Sequence, residues 1–247
     1  MKRIIQTLFC FFLCVGGTFA ATKTAADSAY AAKNYVEAVN LYEQVLRQGV
    51  SAEVFYNLGN AYFRLKDNPK AILNYRRALK YEPAFQDARF NLSLCESKLT
   101  DRFEQPEEMF FVTWFRSFWQ GRSADGWAIW AIATLIGALL FSFLYFFGRR
   151  MLFRKLGFSV ALLLLILSCT FNVFAYMQKK RFTDERQIVL SAPCTVFSNA
   201  SFSSKVQREL HEGTSLVVLD TFSGGWMQVR LPDGTVGWVQ SRGVLNV

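Results

Sequence analysis

Histidine is almost missing from this sequence: His211 is the single one among 247 residues. It stands before Glu212 and Gly213 in what reads as an exposed loop, and no Ser-His-Asp or Cys-His arrangement can be assembled around it. Cysteine is scarce as well. Of the five, Cys10 and Cys14 lie in an apolar N-terminal stretch, Cys169 in a long apolar run, and only Cys95 and Cys194 elsewhere, in different parts of the chain. That distribution supports neither a disulfide framework nor a metal-ligand spacing. There is no phosphate loop and no dinucleotide fingerprint, and carboxylate pairs such as Glu107 and Glu108 sit in a polar linker. The expectation is a protein that is not an enzyme and that uses no metal or cofactor.

Charge is the next absence. From Gly126 to Gly148, and again from Leu156 to Gln178, 23 consecutive residues carry none. As helices, each run reaches about 34 Å, enough to cross a hydrocarbon core of about 30 Å. Two transmembrane helices are therefore expected at 126–148 and 156–178. The segment "RRMLFRK", 149–155, allows only a tight turn between them. The chain would then return to the side it left.

What is abundant fits that reading. The sequence is 52% hydrophobic and 16% aromatic. At the N-terminus, Lys2 and Arg3 precede an apolar run that ends in Gly16, Gly17 and Thr18-Phe19-Ala20. This is the layout of a secretory signal over 1–20, cleaved after Ala20 or retained as an anchor. The net charge of +9 is not a polyanion footprint. Residues 21–108 hold 12 basic and 12 acidic side chains, and residues 187–247 hold four of each. The excess lies in the signal and in residues 109–186, around the apolar runs, so no nucleic-acid partner is expected. With the N-terminal part exported, the Arg-rich turn is cytoplasmic and both soluble parts face the periplasm or exterior.

Residues 21–100 repeat with a period near 33. The clearest unit, "AEVFYNLGNAYFRLKDNPKAILNYRRALKYEP" at 52–83, resembles a tetratricopeptide repeat through Phe55, Leu58, Gly59, Tyr62, Ala71, Tyr75, Ala78 and Pro83. Small residues let two antiparallel helices approach, and Pro83 ends the second helix. An earlier unit matches at Tyr30, Ala38, Tyr42 and Val45, with an interhelix turn one residue shorter and Ala26 in place of Leu. Leu92 and Ser93 mark the first helix of a third unit. In such a solenoid of about two and a half repeats, Glu53, Tyr56, Asn57, Asn60, Phe63, Arg64 and Asn91 would line a concave peptide groove, or serve simply as solvated and packing residues. Asparagine amides can hold an extended peptide by its backbone, which singles out Asn57 and Asn60.

Past Arg186 the period changes to two. The runs "QIVL", "CTVF", "TSLVVLD", "WMQVRL" and "TVGWVQ" suggest five short strands, and "LPDGT" a hairpin turn with Gly234 at positive φ. The order of pieces over 187–247 resembles the bacterial SH3-like domain, a small all-β barrel whose members bind cell-wall peptides or protein segments. Phe197, Phe202, Trp226 and Trp238 could form an aromatic ligand groove, and for Trp238 a place in the barrel core is an equal alternative.

Between these modules, the linker 101–122 contains "MFFVTWFRSFWQ". Wound as a helix, it puts Phe110, Phe111, Trp114, Phe115, Phe118 and Trp119 on one side. Such a helix can lie flat on the bilayer surface, since burying a large apolar side chain is worth roughly 1.5–3 kcal/mol, or dock against the last repeat helix. Ala133 and Gly137 offer a small-residue face for close helix packing. Asn172 is either a contact point for a partner or bonded within the hairpin.

The fold class is thus a multi-domain membrane protein: an all-α solenoid, a transmembrane hairpin and an all-β barrel. That arrangement resembles the BatE family of aerotolerance-type Bat clusters. The resemblance implies a scaffold in an inner-membrane complex with von Willebrand-type and repeat-bearing proteins, linked to a MoxR-type ATPase and to stress fitness. The alternative is a cell-wall sensor or attachment protein that binds peptidoglycan peptides.

Overall fold

The computed structural model describes residues 23–103, 109–184 and 186–247. The expected signal at 1–20 and the linker residues 104–108 lie outside them. The chain divides into two compact units: one combines the segments before and after the apolar runs, and the other contains those runs.

The first unit opens with α1 (23–31), α2 (Tyr35–Gln48), α3 (Ala52–Arg64), α4 (Asn68–Tyr81) and α5 (Gln86–Glu96). Each of α2 to α4 buries one apolar stripe, and Asp67 caps α4 by accepting from the Lys70 amide at 3.2 Å. The helices form the expected two and a half repeats. The shorter first turn, however, is not seen. Residues 32–34 and 65–67 are both three-residue links, and Lys33 and Lys66, 33 positions apart, share a φ of 64°. The same offset equates Ala26 with Gly59 rather than with Leu58. Ala26 is fully buried, and a Cβ on Gly59 would lie 2.7 Å from the Tyr75 ring. Both positions are therefore small because a neighbouring helix passes there.

The rest of this unit is one antiparallel sheet of seven strands: β1 (Arg186–Leu190), β2 (Cys194–Phe197), β3 (Val206–Leu210), β4 (Ser215–Phe222), β5 (Trp226–Arg230), β6 (Val236–Gln240) and β7 (Val244–Asn246), in the order β3-β2-β6-β5-β4-β1-β7. Two more strands form than the five expected. β3 hid because four of its five residues are exposed and polar or isolated, and β7 because it is only three residues long. All seven strands contribute to one core, among them Ile188, Val196, Leu210, Val229 and Val239, so the sheet curls around it. The β5–β6 turn closes as expected, with Gly234 at φ 87° and a Leu231 N–H to Thr235 carbonyl bond of 2.8 Å.

Repeats and barrel are not separate bodies. Along β1 the alternation of side chains sends Ile188 and Leu190 into the barrel core, while Val189 enters the core of the repeats together with Leu245 and Val247. Polar contacts follow the same seam. Arg76 donates to the side-chain oxygen of Gln187 at 3.2 Å, Arg77 to the Asn246 backbone carbonyl, and Lys80 to that of Val247 at 3.1 Å.

The second unit comprises α6 (Phe110–Gln120), α7 (Ala124–Phe147) and α8 (Met151–Asp184). α7 and α8 are long and apolar enough to cross a membrane, and only 11% and 17% of their apolar windows are buried, unlike core helices of a soluble domain. α8 begins four residues after Phe147, so most of the turn expected at 149–155 is helical; "MLFRK" contains nothing that breaks a helix. The two helices close on Trp127, Ala131 and Ala138. Ala133 is exposed and has no part in this seam, whereas a Cβ on Gly137 would meet Leu164 at 3.2 Å. Gly157 brings the backbones closest: a Cβ there would lie 2.8 Å from the Tyr145 nitrogen. Asn172 bonds within its own helix, to the Ser168 carbonyl at 3.0 Å, and the Ser168 hydroxyl crosses to the Ala131 carbonyl at 2.9 Å. In α6 no residue is buried; Phe115 and Phe118 touch Phe174, and Phe110 remains 82% exposed.

Candidate functional site

The first helices of successive repeats face one hollow. α1 contributes Tyr30, α3 Asn60, Phe63 and Arg64, α4 Tyr75, and α5 Asn91 and Leu94, around a space of about 130 Å³. Four of the expected groove residues, Asn60, Phe63, Arg64 and Asn91, meet there. Two do not. Tyr56 packs against Tyr75 and Phe85, with ring centroids 6.0 and 4.9 Å away. Asn57 turns to Asp27, donating to its carboxylate at 3.3 Å.

That carboxylate is the centre of an internally satisfied cluster. Lys23 donates to it at 2.8 Å and the buried Tyr42 hydroxyl at 2.7 Å, and Lys23 also pairs with Glu53 at 3.0 Å. Burial would raise the Asp27 pKa, but the donors from Lys23, Tyr42 and Asn57 outweigh it and hold it below its ordinary value. This end of the groove has already spent its polar groups on folding.

The other end is arranged differently. The Asn60 side-chain oxygen accepts from the Tyr75 hydroxyl at 2.8 Å and from the Asn91 amide at 2.9 Å, so the Asn60 NH2 group is left to donate. Arg64 is exposed and lines the hollow together with Tyr30. Lys98 stands over the Phe63 ring, 4.8 Å from its centre. Among the described residues, neither cation has a carboxylate within ion-pair distance. Sequence reasoning missed Tyr30, Tyr75 and Leu94. Tyr30 was within reach, since it lies 33 residues before Phe63.

On the barrel, the aromatic residues project from the outer face of the sheet, opposite Met227, Val229 and Val239 of the core. They form two clusters rather than one groove. Phe197, Phe202 and Trp226 meet at 4.9–5.9 Å between ring centres, with Trp226 buried beneath and Phe202 71% exposed. Trp238 is half-buried on this outer face, 4.7 Å from Phe222, so the core alternative for it is not realised. Phe222 was not foreseen.

His211 belongs to neither ligand surface. Asp101 from the end of the repeats accepts from the His211 backbone N–H at 2.7 Å and from the Thr214 hydroxyl at 2.6 Å, and its other oxygen lies 2.7 Å from the imidazole. Burial acts to raise the Asp101 pKa, yet the Thr214 and His211 donors prevail and lower it. Beside this contact, Leu99 and Ile72 press on Gly213, and Phe103 packs into the barrel core under Arg208. The thiol of Cys95, inside the repeats, is pushed up to about 11 by burial, which makes it inert rather than nucleophilic.

Two family comparisons match this chain: the tetratricopeptide repeat over residues 52–85 and the bacterial SH3 domain over residues 194–244. No curated protein sequence matches it. Both matched modules are interaction folds rather than catalytic ones. The chain thus combines a tetratricopeptide-type solenoid and a bacterial SH3-like barrel with two helices of membrane length.

Proposed function

We propose that this protein is a membrane-anchored interaction scaffold, in which α7 and α8 tether the repeat groove and the barrel on the periplasmic side of an inner membrane. The observation that carries this reading is the open hollow at the centre of the repeat groove, where aromatic walls and unspent polar groups converge. Tethering raises the effective concentration of a second ligand held by the barrel. The aromatic face of α6 would rest on the lipid surface, as its exposure and its attachment to the base of the hairpin favour. By resemblance, the partners are von Willebrand-type and repeat-bearing proteins of a Bat complex coupled to a MoxR-type ATPase. A photo-crosslinking residue at Phe63 in intact membranes tests the scaffold reading. Discrete partner adducts are expected there and not at Val36, which is exposed on α2; equal labelling at both positions would refute it.

A second reading, peptidoglycan binding by the barrel, is favoured by the exposed Phe202 above Trp226 and Phe197. Retention of the full chain on insoluble cell wall, lost in Phe202→Ala, would support it. Phe202 is the better probe than Trp226, whose burial makes its truncation a folding defect as well.

A further inference from the structure

The hairpin of α7 and α8 carries charge of one sign at one of its ends. Between Asp125 and Asp184 the sequence contains no carboxylate, and both of these belong to the end where α7 begins and α8 finishes. At the opposite end, where α7 passes into α8, Arg149, Arg150, Arg154 and Lys155 fall within seven residues, and all four are exposed. Among the described residues, none of them has a carboxylate within ion-pair distance. Along α7, Asp125 is separated from Phe147 by about 33 Å at 1.5 Å per residue, several times the screening length of about 8 Å in physiological salt. The hairpin therefore supplies no anion for these cations.

One cation is held in place rather than hidden. Gly148 has no side chain, so the stem of Arg154 folds over the end of α7, its Cγ 3.4 Å from where a Cβ on Gly148 would lie. The guanidinium then rests over the Tyr145 ring, 5.6 Å from its centre, which positions the charge without neutralising it. The Arg154 amide donates to the Arg150 carbonyl at 3.2 Å, so the two arginines stand one helical turn apart.

The same stretch is apolar as well as basic. Phe146 and Met151 are each 74% exposed, and Phe147 and Leu152 nearly as much. Unpaired cations interleaved with bare rings and alkyl chains fit an anion that carries its own hydrocarbon. A soluble phosphate leaves the apolar groups in water, and a zwitterionic lipid brings no net charge.

We propose that this turn seats an anionic phospholipid, with its phosphate between Arg150 and Arg154, Arg149 and Lys155 alongside, and its acyl chains against Phe146, Phe147 and Leu152. The proposal rests on the hairpin spanning a bilayer and specifies the lipid held at one end of it.

The test titrates the full chain in detergent micelles with phosphatidylglycerol, phosphatidylcholine, glycerol phosphate and a short polyglutamate, and counts adducts by native mass spectrometry. Phosphatidylglycerol is expected to bind at least tenfold more tightly than phosphatidylcholine. Arg149→Gln, Arg150→Gln, Arg154→Gln and Lys155→Gln together should lower that affinity tenfold or more, since each cation beside an anionic surface is worth about fivefold. Lys179→Gln with Lys180→Gln, at the other end, should leave it unchanged. All six side chains are exposed, so both variants keep the fold. Equal affinity for the two lipids, or a loss seen only in the Lys179 and Lys180 variant, overturns the seat. Glycerol phosphate or polyglutamate binding as tightly as phosphatidylglycerol overturns the lipid as its occupant. Alkaline carbonate extraction of native membranes separates the two readings: release of the chain refutes the spanning hairpin and the seat with it, whereas retention without a lipid preference refutes the seat alone.

Discussion

Replacing Asp101 with Ala is expected to loosen the repeats from the barrel, and the size of the effect can be worked from its three contacts. The Thr214 hydroxyl, on a residue 2% exposed, and the His211 backbone N–H would each lose a charged acceptor. Hydrogen bonds to charged groups contribute about 1.5–3 kcal/mol, and a buried donor left unsatisfied costs a similar amount. The imidazole contact counts for little, because the His211 side chain is 52% exposed and such pairs contribute about 0–1 kcal/mol. The sum is about 3–6 kcal/mol, which lowers the melting temperature of a body this size by roughly 10 °C or more. Thermal unfolding of the full chain in nanodiscs, followed by near-ultraviolet circular dichroism, reads it directly. The pH dependence fixes the cause. Since folding lowers the Asp101 pKa, its contribution is complete above the ordinary value of 3.8 and is lost as pH falls through the lower folded value. The gap between wild type and Asp101→Ala should therefore shrink below pH 4. An unchanged melting temperature, or a gap that persists undiminished in acid, would refute the clamp.

Other substitutions separate the remaining contacts. Gly213→Ala should destabilise by about 1–3 kcal/mol, because φ is +85° and the new methyl would sit 2.6 Å from Leu99; denaturant titration measures it. Gly59→Leu should prevent folding of the repeats, since even a Cβ overlaps Tyr75, and a far-ultraviolet spectrum that keeps its helical signal on heating would contradict this. Gly157→Leu should splay the hairpin at its closest approach, seen as accelerated proteolysis of the α7–α8 pair in nanodiscs, with no change in the melting of the barrel. Phe202→Ala should leave the melting temperature within a degree or two, whereas Trp226→Ala should cost about 3–5 kcal/mol, a contrast set by exposures of 71% and 8%.

How far the sequence could be read depended on the range of the interaction. Apolar runs and a repeat period are local, and they identified the hairpin and the solenoid with their main helices. Ala26 shows the limit: without its neighbours, a small residue on one helix can be aligned one position off, and only burial against the next helix restores the offset of 33. β3 escaped because "VQREL" exposes four residues and has no clear alternation. Asn57 and Asn60 look alike in sequence, yet Asp27 claims one and Tyr75 turns the donors of the other outward. Least legible was the seam. Asp101 and His211 are 110 residues apart, and nothing in the character of either announces the other.

Because β1 serves as a party wall between two cores, the chain meets a timing problem during synthesis. Arg76 and its partner Gln187 are separated by 111 positions, and both membrane-length helices are made in between. Until β1 brings Val189 and the later turn brings Gly213, the core around Ile72 and Leu99 lacks its cover, so the nascent solenoid must wait with an oily flank uncovered. A chaperone acting outside the bilayer would find that flank before any finished partner could.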